Sequence, residues 1–177
     1  MAMSDGFLRS SVACRVQGTF PPQGVAGDLA NHVVRQSAND TITTLSYGTA
    51  SGQADLIVCQ DKTINATTAA TYDLYTGTDL RDIDGQTAAM RKVKYLKVSV
   101  ADGGDAAGVR VGGAASDEWV GYFAAAGDKQ DIFPGGPPLV VGSPAGKAVG
   151  AATKNLKIEN QSAVAVTVRI VIAGTSV

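Results

Sequence analysis

A chain of 177 residues, 45% of them hydrophobic, can bury a core of its own, but with only 18% charged residues it is poor in the solvated faces that amphipathic helices need. A formal net charge of −1 provides no general attraction for nucleic acid or an anionic membrane. No apolar run approaches the ~20 residues that span a bilayer, and MAMSDGFLRSSVAC at the start lacks the segments of a signal peptide, so synthesis and assembly in the cytoplasm are expected.

The first 40 residues differ in character from the rest. Phe7 to Phe20 fits one or two strands, with Val12, Cys14 and Val16 on one face. The stretch Pro21 to Asp28, with two prolines and two glycines, can continue neither a strand ladder nor a helix. Two readings stand for residues 1–40: an extended arm or peripheral hairpin with a loop, or the first strands of the main domain.

From Thr41 to Val177 candidate strands follow one another at short intervals, each closed by turn residues. They are expected at Thr41–Tyr47, Leu56–Cys59, Thr71–Tyr75, Val93–Val100 and Val109–Val111. More are expected near Trp119–Phe123, Asp131–Phe133, Leu139–Val141 and Leu156–Glu159. Thr78 to Lys92 offers one or two turns of helix, with Asp79 as a cap and Gly85 weakening it. In Val93–Val100, Lys94, Leu96, Val98 and Val100 fall on one face, Tyr95, Lys97 and Ser99 on the other. The last element is the clearest, because Val164, Val166, Val168, Ile170 and Ile172 recur with period two and are all β-branched. Short strands, Gly/Pro turns and almost no helical period predict an all-β, antiparallel β-sandwich of the jelly-roll kind, with an immunoglobulin-like sandwich as the alternative.

Chemical signatures are few. His32 is the single histidine, so a Ser/His/Asp or Cys/His arrangement has to use it, and it lies in the irregular N-terminal region. Gly142-Ser143-Pro144-Ala145-Gly146 puts proline after the serine, where a nucleophile elbow needs an N–H for its oxyanion hole. As a phosphate loop the same stretch is one residue short, and Ala148 stands where a magnesium-binding hydroxyl is required, so it reads as a turn. Asp79, Asp82 and Asp84 miss the calcium-loop register because Gln86 and Thr87 follow Gly85. Arg91, Lys92, Lys94 and Lys97 form the one basic concentration, but they alternate between faces instead of making a phosphate-binding stripe. Cys14 and Cys59 are expected as small buried residues, with a single disulfide as the alternative. The expectation is a non-enzyme with no cofactor, no metal, no nucleic acid and no membrane. Trp119, Tyr122 and Phe123 form the main aromatic cluster and suit a core or a subunit interface, or else a sugar-stacking platform. With Phe7 and Phe20 they are the candidate interface residues.

Several stretches from Thr41 onward are similar to one known class of protein. They are Leu45-Ser46-Tyr47-Gly48 with Gly52-Gln53-Ala54-Asp55, then Asp79-Leu80-Arg81-Asp82 running into Val93–Val98. Val111-Gly112-Gly113-Ala114, Pro134-Gly135-Gly136, and the ending from Leu156-Lys157-Ile158-Glu159-Asn160 to Ile172-Ala173-Gly174-Thr175 complete the set. Over about three quarters of its length the chain resembles structural proteins of tailed bacteriophages of the head decoration, or cement, kind. The resemblance implies a β-sandwich on the exterior of a capsid, commonly a homotrimer, whose partner is the major capsid protein. It brings no catalytic residues, and the N-terminal segment lies outside it. A tail, neck or fibre-base component, or a carbohydrate-binding module, is the alternative.

Overall fold

A computed structural model describes residues 32–34 and 43–177, with side chains from Leu45 onward. Phe7, Phe20, Cys14 and the Pro21–Asp28 stretch lie outside the described residues. Two compact units divide between Tyr47 and Gly48, whereas the sequence pattern places the boundary after residue 40. The reason is pairing: in the first unit β1 (His32–Val34) runs antiparallel to β2 (Thr43–Tyr47), with His32 opposite Leu45. His32 therefore opens a strand instead of sitting in irregular chain.

The second unit begins with the two-residue β3 (Gln53–Ala54) and continues with β4 (Leu56–Ile64), β5 (Ala69–Asp73), β6 (Lys92–Gly103) and β7 (Val109–Gly112). It is completed by β8 (Lys129–Ile132), β9 (Leu139–Ala148), β10 (Asn155–Asn160) and β11 (Val166–Thr175). From β4 on, these strands form two four-stranded antiparallel sheets, ordered β4-β11-β6-β9 and β5-β10-β7-β8. First pairs with last (β4 with β11), second with seventh (β5 with β10), third with sixth (β6 with β9) and fourth with fifth (β7 with β8). One long hairpin has thus been wrapped, and β11·β6 and β10·β7 are the pairings that wrapping adds. This connectivity is a jelly roll, and it differs from the immunoglobulin strand order.

The two sheets enclose one core. Strand β11 lies between β4 and β6 and sends Val166, Val168, Ile170 and Ile172 inward, against Val58, Leu96, Val98, Leu156 and Ile158. The other face of β11 is mixed: Val171 and Ala173 are buried too, while Thr167 and Arg169 are part-exposed. Val164, which begins the period-two pattern, falls outside the strand.

Four local expectations need correction. No helix occurs among the described residues: Lys92 opens β6 and Thr78–Arg91 is irregular. There the Asp82 carboxylate accepts the N–H groups of Asp84 and Gln86 at 3.0 and 2.8 Å, and Ile83 N donates to Ile57 O at 3.0 Å. Local side-chain bonds of this kind compete with a helix. Trp119–Phe123 is not a strand but part of the loop between β7 and β8. Gly142–Lys147, read as a turn, lies inside β9, an edge strand where a proline removes no ladder donor that a neighbour needs. A register shift between Val93 and Tyr95 puts a bulge at Lys94, so Val93, Leu96 and Val98 face the core and Lys94 does not share their side.

Candidate functional site

In a wrapped hairpin, alternate connections leave from the same end. One end of this jelly roll therefore collects four turns, residues 65–68, 104–108, 133–138 and 161–165, which follow β4, β6, β8 and β10. Asp105 is the only charged residue in them. The opposite end carries Asp79, Arg81, Asp82, Asp84, Asp117, Glu118 and Lys154.

Three of the four turns, 65–68, 104–108 and 161–165, are tied together by polar side chains. Asn160, at the end of β10, is buried, and its Nδ2 donates to the carbonyls of Ile64, Asn65 and Val164 at 3.1, 3.0 and 2.8 Å. Its Oδ1 accepts the N–H of Ser162 at 2.8 Å. Ser162 Oγ accepts the N–H groups of Asp105 and Val164, both at 3.1 Å, and Asp105 Oδ2 accepts that of Ala163 at 3.0 Å. The N–H of Ala107, with that of Ala163, holds the Asp105 carboxyl below the usual carboxylate range. Backbone bonds Gly104 N to Ala165 O (3.2 Å), Thr67 N to Ser162 O (3.1 Å) and Gln161 N to Gly108 O (3.0 Å) complete the web. Gly108, at φ 67°, is required here, because a Cβ would stand 2.3 Å from the Ile132 carbonyl oxygen.

Two large apolar side chains stand exposed at this end, Phe133 at 49% on the fourth turn and Val164 at 50%, among alanines, glycines and prolines and the polar Asn65, Thr67 and Thr68. A surface with exposed large apolar side chains and almost no charge suits contact with another protein, since few charges are desolvated on docking. The sequence reading counts Phe133 and Val164 as strand residues, and nothing in one sequence shows that these turns meet.

The aromatic cluster lies in the loop from Gly113 to Asp128. Glu118 holds that loop with both oxygens, accepting Gly113 N at 2.6 Å and Gly127 N at 2.7 Å. Trp119 is buried in the core and its Nε1 donates to Ala148 O at 2.9 Å. Gly121 passes so close to the indole that a Cβ there would lie 2.2 Å from the ring. Tyr122 meets Trp119 edge-on at 5.7 Å between centroids, and its hydroxyl donates towards Val93 O and Lys94 O at 3.1 and 2.9 Å. Burial pushes that hydroxyl up to about 12, so it remains a neutral donor. Of the three candidate interface aromatics, Trp119 belongs to the interior, while Tyr122 and Phe123 are half-buried and line a groove of about 310 Å³.

The basic concentration is dispersed. The Arg91 guanidinium lies 4.0 Å over the Tyr75 ring, Lys94 Nζ is directed at the carbonyls of Ala50 and Pro144 (3.0 and 2.8 Å), and Lys97 is buried. Elsewhere cations pair across strands, Arg169 with Asp61 (2.7 Å) and Arg110 with Asp131 (2.8 Å). Cys59 is half-buried on β4. Among the described residues no group of three His, Cys, Asp or Glu side chains could hold a metal ion. No family model, curated protein or solved structure matches this chain.

Proposed function

We propose that the chain is a structural protein of a tailed-bacteriophage particle, a decoration or cement protein on the capsid exterior. In this reading it clamps adjacent copies of the major capsid protein and associates with itself as a homotrimer, with no catalytic step. The observation that carries the reading is the charge-poor end of the jelly roll, where Asn160, Ser162 and Asp105 tie three turns together and Phe133 and Val164 stand exposed. Large apolar side chains held out on a rigid base mark a partner surface. On a repeating shell even a modest contact of this kind is strengthened by multivalency. The jelly roll is compatible with this role, and the resemblance over Thr41–Val177 points the same way.

Quantitative mass spectrometry of purified particles tests it. On the order of hundreds of copies per particle are expected from a protein that follows shell symmetry. A dozen or fewer would move the chain to the neck, tail or fibre base, and none at all would remove it from the particle.

A further inference from the structure

The geometry points to a second, separate binding site: the groove beside Tyr122 and Phe123 takes a neutral sugar ring. β8 and β9 are end strands of the two different sheets, and the groove draws its lining from both and from the loop before β8. Its apolar part is Tyr122, Phe123, Leu139 and Val141, all half-buried. The Tyr122 ring is immobilised by its hydroxyl bonds and by Trp119, so it needs no ordering when a ligand arrives.

The polar part is Asp128, Lys129 and Gln130, all exposed. Asp128 uses Oδ2 to accept Ala125 N at 2.8 Å, which leaves Oδ1 for a ligand. Gln130 uses Nε2 towards Asp131 O at 3.2 Å, which leaves its amide oxygen. The Lys129 ammonium makes no ion pair or side-chain hydrogen bond among the described residues, and its nearest influences are the Asp131 and Glu159 carboxylates. Two acceptors and a cationic donor thus flank an aromatic and aliphatic wall.

That combination matches a pyranose. Each sugar hydroxyl donates and accepts at once, as a carboxylate beside an ammonium requires. The C–H face of the ring packs on an aromatic side chain. A purely apolar ligand would desolvate Asp128 without a partner, and a phosphate would face its charge. The volume of about 310 Å³ is at the small end for ligand sites and suits one or two rings.

The test is amide chemical-shift mapping on the full chain. The probes are methyl hexopyranosides of gluco, galacto and manno configuration, N-acetylglucosamine, and an extended alanine/valine peptide as the rival occupant, each at tens of millimolar. At least one saccharide is expected to saturate shifts at Tyr122, Phe123, Leu139 and Val141. Phe123→Ala and the isosteric Asp128→Asn are each expected to weaken it about tenfold, while Lys62→Ala, exposed on β4 at the far edge of the sheet from β9, leaves it unchanged. Failure of every saccharide to saturate, saturation by the peptide instead, or undiminished binding by Asp128→Asn overturns the proposal. It stands apart from the capsid reading: copy number on particles and saccharide binding in solution can fail independently.

Discussion

Ser162 Oγ accepts the amide N–H of Asp105 at 3.1 Å and so joins the turn after β10 to the turn after β6, in the opposite sheet. Ser162 is itself fixed by Asn160, and Asn160 reaches the end of β4. One short segment, Asn160-Gln161-Ser162, thus couples both sheets at the end that presents Phe133 and Val164. Buried polar side chains do the joining, and Asp105 is the one charge in these turns.

Asn160→Ala is expected to destabilise the fold by about 3 kcal/mol, because it strands several buried backbone groups that water reaches poorly. Asn160→Asp should fare no better, since a carboxylate cannot donate to the carbonyls of Ile64, Asn65 and Val164. Urea denaturation measures both. A loss below about 0.5 kcal/mol for either variant would show that the web is not what holds these turns.

Acid should loosen the same end. Hydrogen bonds to the carboxylate from Ala107 N and Ala163 N lower the Asp105 pKa from its ordinary 3.8. Its folded pKa is below its unfolded one, so its stabilisation is complete above the unfolded value and is lost as pH falls through the folded value. Asp61, beside the Arg169 guanidinium, and Asp131, beside Arg110, are shifted the same way. Asp105→Asn should melt below the wild type at neutral pH, and the gap should narrow as pH falls below the ordinary carboxylate value. A gap that stays constant with pH would contradict the role given to this carboxylate.

Tyr72 presents the reverse case. Its hydroxyl is buried without a hydrogen-bond partner among the described residues, and burial pushes its pKa well up. Removing an unsatisfied buried hydroxyl costs nothing in lost bonds, so Tyr72→Phe should be neutral or stabilising by up to about 1 kcal/mol. Tyr122→Phe, which gives up contacts to Val93 O and Lys94 O, should lose stability in the same melting assay. If the order of the two variants is reversed, the assignment of satisfied and orphaned hydroxyls is wrong.

How legible this was in the sequence depends on the range of the interaction. The last strand could be read because one buried face imposes period two on neighbouring residues, Val166 to Ile172. Gly142–Lys147 was misleading because glycine and proline signal turns, yet an edge strand tolerates both. Trp119–Phe123 has the composition of a strand, but Glu118 and the core contact of Trp119 hold it as a loop. Strand order was beyond reach: the partner of Ile64 is Val166, and no local pattern encodes so distant a pairing. The charge-poor end was hidden for the same reason. Two of its four turns carry residues that the local pattern assigns to strands, Phe133 and Val164, and only the wrapped connectivity gathers all four.

Val168→Asp tests the central strand. Val168 lies fully buried between Lys62 on β4 and Val100 on β6. An unpaired carboxylate there should cost several kcal/mol against a total stability of about 5–15 kcal/mol, giving insoluble or molten protein. A soluble variant with an unchanged melting temperature would contradict the inward face.

The final prediction separates folding from docking. Phe133 and Val164 are half-exposed, so replacing both with aspartate removes little buried area and leaves the Asn160 and Ser162 web in place. The double variant should melt within a few degrees of the wild type, as surface substitutions do. Two carboxylates on a surface otherwise charged only at Asp105 would have to be desolvated, unpaired, wherever that end meets a partner. Particles stripped of the protein and then incubated with each form should therefore retain the wild type and lose the double variant, with Lys92→Asp, outside these four turns, as a charge-changing control. Sedimentation of the free proteins divides the outcomes further. A trimer that persists while retention is lost assigns this end to the shell. A trimer that falls apart assigns it to contacts between copies, and equal retention of both forms would remove the end from the docking surface.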